Sequence, residues 1–273
     1  MSQDNFPRVF RLRQELPRRP ALDIPASVDA EIAGLITDVK PGAKIAVAVG
    51  SRGIANLAAI VARAVKGLRA AGAQPFIVPA MGSHGGAVPE GQTRILADYG
   101  VTAETMDAPI QASMETSNLG SISNGSEVVL GSAALKADGI LIVNRVKPHT
   151  DFVGALGSGL MKMLVVGLGK HAGAARFHRA AQSLGYEAAL RETARVILDS
   201  APVLGGLALI EDAFHQTVRI TALHPGDFER GEEELLLVAR ELMPGLPFNE
   251  VDLLIVDRIG KNISGTGMDS NVI

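Results

Sequence analysis

Two histidines and one arginine stand in short polar segments where side chains could reach a bound ligand. His84 lies in the sequence GSHGG, His149 ends the sequence NRVKPH, and Arg52 lies between two small residues in GSRG. An imidazole exchanges protons near neutral pH, and a guanidinium can bind a carboxylate through two parallel hydrogen bonds. These residue types favour a binding site for a small anionic ligand. Packing in the core or simple exposure at the surface is the less favoured interpretation.

Lys162 stands in an unusually apolar stretch, with leucine, methionine and valine on both sides of it. A lysine in such a run must extend its ammonium to solvent, pair with an acid, or lose its proton. A neutral, partly buried amine is a nucleophile suited to covalent attachment. The segment does not fit a phosphate-binding loop, because two residues separate Gly159 from Lys162 and Met163 follows it. Solvent exposure and covalent attachment both stay open.

The other histidines divide into one candidate and three that are expected at the surface or in packing. His178 lies beside a phenylalanine in a predicted helix, whereas His171, His215 and His224 show no pattern that points to chemistry. His171 and His178 are seven residues apart, which is about 10.5 Å along a helix. They therefore cannot both bind one metal ion directly.

The elements that must position these residues alternate between strand and helix. Predicted strands cover 44–50, 75–80, 127–130, 139–146 and 251–257, and predicted helices cover 54–71, a segment from about residue 89, 171–199 with a break near 185, and 228–242. This alternation predicts an α/β fold with a mostly parallel, Rossmann-like sheet flanked by helices. Residues 202–223 are predicted to add a hairpin-like element.

The three polar loops each follow the carboxyl end of a predicted parallel strand. Ligands of open α/β sheets bind outside those ends, so Arg52, His84 and His149 are expected to share one crevice although they span nearly 100 residues. The first two loops also lead into helices. A serine N-cap with free backbone N–H groups would make an anion site there.

Composition excludes several kinds of site and partner. The 273 residues include no cysteine, which excludes disulfides, thiolate nucleophiles, cysteine-bound zinc and iron–sulfur clusters. A net charge of −3 and 4% aromatic residues argue against a nucleic-acid partner. No apolar stretch approaches the ~20 residues of a membrane span, and the arginine-rich start does not resemble a secretory signal. We expect a cytoplasmic protein without membrane contact.

Three stretches together resemble the amino-terminal domain of the nickel-dependent lactate racemase family. They are GSRGIAN, MGSHGG and VKPHTDFVGALGSGLMKMLVVGLGKHAGAARFH, within residues 40–180. The separation of sixteen residues between Lys162 and His178 also agrees with the family pattern. Members of that family hold a nickel pincer nucleotide joined to a lysine, and their nickel is bound by the cofactor and by one histidine.

The resemblance implies a role for each candidate residue. Lys162 resembles the attachment lysine of the nickel pincer nucleotide, and His178 resembles the nickel ligand. His84 and His149 resemble the paired acid/base histidines, and Arg52 resembles the arginine that binds the substrate carboxylate. Further cofactor contacts are assigned to small residues of the loops, namely Ser51, Gly157, Ser158 and Gly159.

The implied activity is racemisation or epimerisation of a 2-hydroxy acid by cofactor-assisted hydride transfer. Its partners would be the small-molecule 2-hydroxy acid and the proteins that make the cofactor, and a homo-oligomer stays open. The residues before Arg52 and the bulky Leu160 and Met161 before Lys162 depart from the family pattern. They predict a divergent member that acts on a larger 2-hydroxy acid.

Two other classes of function stay open on the sequence. A non-catalytic α/β domain could bind a nucleotide or small anion at its helix N-termini. A different metal enzyme, such as a hydro-lyase, could use His84, His149 and Asp151.

The chain is predicted to divide after residue 248. Residues 1–248 would form the lactate-racemase-like amino-terminal α/β domain, and residues 249–273 would begin a carboxyl-terminal domain in a longer protein. The loop after the last predicted strand offers Lys261, Ser264 and Thr266 to a ligand. Because the cofactor would lie between the two domains, this chain is expected to bind it weakly and to appear without it.

Overall fold

A computed structural model of the chain describes residues 9–16, 18–51, 53–150, 152–260 and 268–272. In chain order the strands are β1 Lys44–Val49, β2 Gln74–Pro79, β3 Thr116–Ser121, β4 Glu127–Gly131, β5 Gly139–Arg145, β6 Val203–Glu211 and β7 Thr217–Leu223. Among the described residues, the central sheet has five strands in the order β2-β1-β5-β6-β7. The first four strands in that order run parallel, and β7 pairs antiparallel with β6. The carboxyl ends of β2, β1 and β5 therefore meet at one edge.

Helices cover both faces of this sheet. They are α1 Ile24–Leu35, α2 Leu57–Ala70, α3 Pro89–Asp98, α4 Ala103–Met106, α5 Ser132–Leu135, α6 Leu160–Lys162, α7 Lys170–Leu184, α8 Tyr186–Ser200 and α9 Phe228–Leu242. A π-helical turn, Met163–Gly167, joins α6 to α7. Gly185 separates α7 from α8 with φ +81°, a left-handed conformation that glycine adopts at low cost.

The alternation of side chains along β1 creates a separate core on each face of the sheet. Val47 and Val49 pack with the apolar sides of α1 and α2. Ala46 and Ala48 pack with the π-helical turn and with α7, α8 and α9. All four residues are fully buried, as is typical of a parallel strand covered on both faces. The rigid sheet thus fixes the positions of the loops that leave its carboxyl edge.

A small second sheet pairs β3 with β4 in antiparallel register. It packs against α7 and α8, on the face of the central sheet that carries the π-helical turn. The sequence predicted β4 but not β3, because Thr116–Ser121 has only one apolar residue and gives no strand pattern.

The predicted α/β fold class is confirmed: the sheet is mostly parallel, helices flank it, and β6–β7 form the added hairpin. The helix over 228–242 has the predicted bounds. Helix α2 begins at Leu57, three residues later than predicted, because Asn56 adopts a left-handed conformation with φ 58°. Helix α1 was not predicted, although Asp23 accepts a hydrogen bond from the Ala26 N–H as its N-cap.

The predicted strand over 251–257 is wrong. This run forms no regular strand and leaves Leu253 75% and Ile255 80% exposed. Strand formation depends on a neighbouring strand as much as on β-branched composition. The division into two domains after residue 248 stays a prediction, and Lys261, Ser264 and Thr266 lie outside the described residues.

Within the part of the chain that the structure describes, no helix combines the length and the apolar character needed to cross a bilayer.

Candidate functional site

The loops after β1 and β2 meet at the carboxyl edge of the sheet. Ser51 Oγ and His84 Nδ1 lie 2.5 Å apart, so a hydrogen bond joins a residue that follows β1 to one that follows β2. His84 is exposed and Ser51 is half-buried. The structure therefore brings two of the candidate residues into direct contact.

The serines of these loops do not cap helices, so that part of the sequence interpretation is wrong. The N-cap of α2 is Asn56, and the N-cap of α3 is Val88. Ser51 lies five residues before Asn56, the left-handed residue that precedes the helix. Its hydroxyl bonds to an imidazole and not to the backbone N–H groups of a helix.

Arg52 and Asp151 lie outside the described residues, so the structure gives them no position. The loop that carries Arg52 is nevertheless anchored on its far side, because the Ala55 N–H donates to Glu211 Oε1 at 2.7 Å. Glu211 also forms an ion pair with Arg145 at the end of β5. Both members of this pair are largely buried, which ties the loop to the rigid part of the sheet.

The loop after β5 brings His149 to an aromatic cluster around Tyr186. The His149 ring lies 5.0 Å from the ring of Tyr186 and 4.8 Å from that of Phe152. Phe152 stacks on Tyr186 at 4.5 Å, and the Tyr186 hydroxyl donates to the carbonyl of Gly157 at 3.2 Å. Ring contacts of this kind fix the orientation of an imidazole.

Lys162 and His178 reach the same cluster from the helices. Lys162 Nζ lies 5.8 Å from the centre of the Tyr186 ring and 3.5 Å from Ser158 Oγ. His178 packs edge-on against Phe177, which in turn contacts Tyr186. Partial burial and the charge of Lys162 lower the pKa of His178, which favours the neutral imidazole that binds metals. His149 and Lys162 thus lie at Tyr186, and His178 is linked to the same tyrosine through Phe177.

The π-helical turn connects the two groups of residues. The Gly82 N–H donates to the carbonyl of Gly167 at 3.1 Å, so the loop of His84 lies against the turn that follows Lys162. Gly50 faces Met163, where a Cβ would come within 2.8 Å of the Met163 methyl group. His84 and Lys162 therefore flank one helical segment at the carboxyl edge of the sheet.

Gly157, Ser158 and Gly159 have clear packing roles. Ser158 exchanges two backbone hydrogen bonds of 2.8 Å with Lys147. A Cβ at Gly157 would lie 2.4 Å from the Lys147 carbonyl oxygen, and a Cβ at Gly159 would lie 2.0 Å from a carboxylate oxygen of Glu232. These contacts account for both glycines, and the cofactor-binding role of the segment stays a prediction.

Glu232 is a buried acid directly behind the turn that carries Lys162. Its carboxylate accepts the Met161 N–H at 3.1 Å, and it is 3% exposed. Burial raises the pKa of Glu232 to about 8, although hydrogen bonds from Met161 and Leu160 oppose the shift. Burial and the nearby Glu232 also raise the pKa of Tyr186, so this tyrosine stays protonated at neutral pH.

Glu232 and Tyr186 were missed by the sequence interpretation. Glu232 gave a usable signal, because it falls on the same face of α9 as the buried Phe228, Leu235 and Leu236. An acid on the apolar face of an amphipathic helix indicates a special environment. Tyr186 gave no comparable signal, since its contacts come from tertiary structure alone.

The described residues contain no group of three or more histidine, aspartate or glutamate side chains that could hold a metal ion. The metal-enzyme alternative requires Asp151 together with His84 and His149, and Asp151 lies outside the described residues.

The fold is similar to that of the lactate racemase apoprotein from Thermoanaerobacterium thermosaccharolyticum. The match has a TM-score of 0.53 and 13% sequence identity, and it covers 77% of this chain and 55% of that chain. The chain thus spans little more than half of that racemase, and at this identity the likeness shows the α/β fold alone. No family model and no curated protein matches the sequence.

Proposed function

We propose that the chain carries the cofactor-attachment and acid/base residues of a racemase or epimerase that acts on a 2-hydroxy acid. The observation that carries the proposal is that His149 and Lys162 lie at Tyr186, with His178 near enough to Lys162 for that charge to lower the His178 pKa. The loop of His84 packs against the helical turn that follows Lys162. The similarity of fold to a lactate racemase apoprotein also supports this proposal.

The residues fit a nickel pincer nucleotide attached at Lys162. The Lys162 amine is half-buried against an aromatic ring, and His178 offers a neutral nitrogen beside it. One histidine suffices where a cofactor brings the remaining metal donors, and imidazole is a good ligand for nickel. When bound, the cofactor supplies the hydride acceptor that side chains cannot provide.

The chain's own residues would handle protons and orientation. Inversion at C2 needs an acid/base on each side of the substrate, and His84 and His149 would each take or return the hydroxyl proton. Ser51 fixes His84 through Nδ1, so we assign proton transfer to Nε2. Arg52 would hold the substrate carboxylate. The partners are then the 2-hydroxy acid and the proteins that make the cofactor.

The test is a racemisation assay on the chain after it has been co-expressed with the cofactor-making proteins. Enantiopure 2-hydroxy acids with side chains from methyl to benzyl are incubated in D2O and analysed by chiral chromatography and NMR. We expect racemisation with the C2 hydrogen retained. The side chain of the 2-hydroxy acid that reacts fastest shows which size of substrate the site accepts. Deuterium at C2 would indicate proton abstraction and would contradict the proposal.

Single substitutions test the acid/base roles of the two histidines. His84→Ala and His149→Ala should each lower the rate by about 100-fold or more. His224→Ala is the matched control, because His224 is exposed on the loop before α9 and should leave the rate unchanged. Full activity in either acid/base variant would contradict its assigned role.

A further inference from the structure

A second lysine, eight residues after Lys162, is completely buried. Lys170 has no exposed surface, and its Nζ donates to the Pro79 carbonyl at the end of β2 at 2.6 Å. Burial lowers the pKa of Lys170 to about 8. Its backbone adopts φ +59°, which is uncommon for a residue with a side chain. The hydrogen bond to Pro79 and the complete burial of the side chain together hold Lys170 in this conformation.

Lys170 leads to the loop of His84 through one other buried polar side chain. Its Nζ lies 3.5 Å from Gln92 Oε1, and Gln92 in α3 is also fully buried. Gln92 Nε2 donates to the Gly82 carbonyl at 3.0 Å and lies 3.4 Å from the His84 carbonyl. The amide therefore joins the lysine to the backbone on both sides of Ser83.

Lys170 belongs to the helical segment that carries the second group of candidate residues. Lys170 begins α7, the helix that carries His178, and follows the π-helical turn that begins directly after Lys162. Its stem passes Gly131, where a Cβ would lie 3.1 Å from Lys170 Cε, so the side chain has little freedom to move. The loop of His84 and the helical segment of Lys162 and His178 are thus joined through the interior as well as at the surface.

We propose that Lys170 and Gln92 are a positioning pair that keeps the His84 loop in register with the helical segment carrying Lys162 and His178. Neither residue would touch substrate. Their importance for catalysis rests on the proposed function, but the geometry they enforce can be measured without turnover.

The experiment follows the imidazole signals of His84 by 15N NMR on the full chain without cofactor, with His84→Ala used for assignment. Lys170→Met removes the donor at similar length, and Gln92→Leu removes the amide at similar volume. We expect each to change the imidazole 15N chemical shifts of His84, because a displaced loop alters the contact between its Nδ1 and Ser51 Oγ. The double variant should change them no further than the larger single change, since the two residues act in series.

Two controls separate positioning from general destabilisation. Leu68→Ala opens a cavity near the end of α2, and Lys66→Met removes an exposed lysine from the same helix. Both should leave the His84 signals unchanged. Unchanged His84 signals in Lys170→Met and Gln92→Leu would overturn the proposal, and if Lys170→Met does not fold, Gln92→Leu decides alone. Because the readout needs neither cofactor nor substrate, it can fail or succeed independently of the racemase assay.

Discussion

The half of the candidate site around His84 rests on loops, whereas the half around Tyr186 rests on helices. His84 is exposed in a glycine-rich loop held by Ser51 and Gln92. Tyr186 is buried in a cluster of rings, and Glu232 lies directly behind the turn of Lys162. The first half depends on a few hydrogen bonds and the second on dense packing.

This difference predicts how each half responds to change. A packed interior cannot absorb an added methyl group without strain, so changes near Tyr186 should mainly lower stability. An exposed loop can shift into solvent, so changes near His84 should alter geometry at a smaller cost.

The largest effect should come from the charge of Glu232. Burial raises its pKa from an ordinary 4.5 to about 8, so between these values the folded chain holds a proton that the unfolded chain has lost. The contribution of Glu232 to stability is therefore full below pH 4.5, falls by about 5 kcal/mol in total as the pH rises to 8, and changes no further above that pH. Urea unfolding at a series of pH values measures this.

Glu232→Gln should remove that decline, and the difference between the two pH profiles isolates Glu232 from the other acids. Glu241→Gln is the matched control, since Glu241 is exposed in the same helix. Parallel profiles for the wild type and Glu232→Gln would show that the acid is not buried as described.

Gly159→Ala should destabilise the chain by about 3 kcal/mol. The added Cβ would lie 2.0 Å from Glu232 Oε1, and the buried carboxylate has no free space to enter. The cost should shrink in a Glu232→Ala background, where the methyl group meets a cavity instead. Gly34→Ala, with nothing within 4 Å of its Cβ, serves as the control in urea unfolding. Equal costs in both backgrounds would refute the clash.

Gly91→Ala inserts the same methyl group beneath the His84 loop. Its Cβ would lie 1.9 Å from the Gly85 carbonyl oxygen, so the loop must move outward. We expect a smaller loss, about 2 kcal/mol, together with changed imidazole signals of His84. Gly226→Ala, in an open surface turn, should change neither quantity. A cost above that of Gly159→Ala would reverse the contrast between the two halves.

Tyr186→Phe should have the smallest effect. It removes the hydrogen bond to the Gly157 carbonyl but keeps the ring, at a cost of about 1 kcal/mol. Amide exchange at Ser158, which bonds to Lys147, should become faster. Tyr99→Phe, a change in the opposite core, provides the comparison, and equal exchange at Ser158 in both variants would argue against a role for the hydroxyl.

The positions of His84 and His149 could be anticipated from sequence because strand patterns are local. A β-branched apolar run followed by GSHGG or NRVKPH places His84 and His149 at the carboxyl edge of a parallel sheet. In the helical half the sequence pointed to Lys162 and His178 but not to Tyr186, because Tyr186 and Lys162 meet only after α6 and α8 pack together. The same reasoning explains the error at 251–257, where composition favours a strand but pairing decides.

The proposed function requires that Lys162, and not the buried Lys170, carry the cofactor. The direct measurement is intact and peptide mass spectrometry, with nickel analysis, on the chain co-expressed with the cofactor-making proteins. We predict an adduct on Lys162 in a fraction of the chains, as expected for weak cofactor binding, with an amount of nickel equal to the adduct. The adduct should be lost in Lys162→Ala and kept in Lys170→Met. An unmodified Lys162, in cells where a lactate racemase expressed in parallel is fully loaded, would contradict the account.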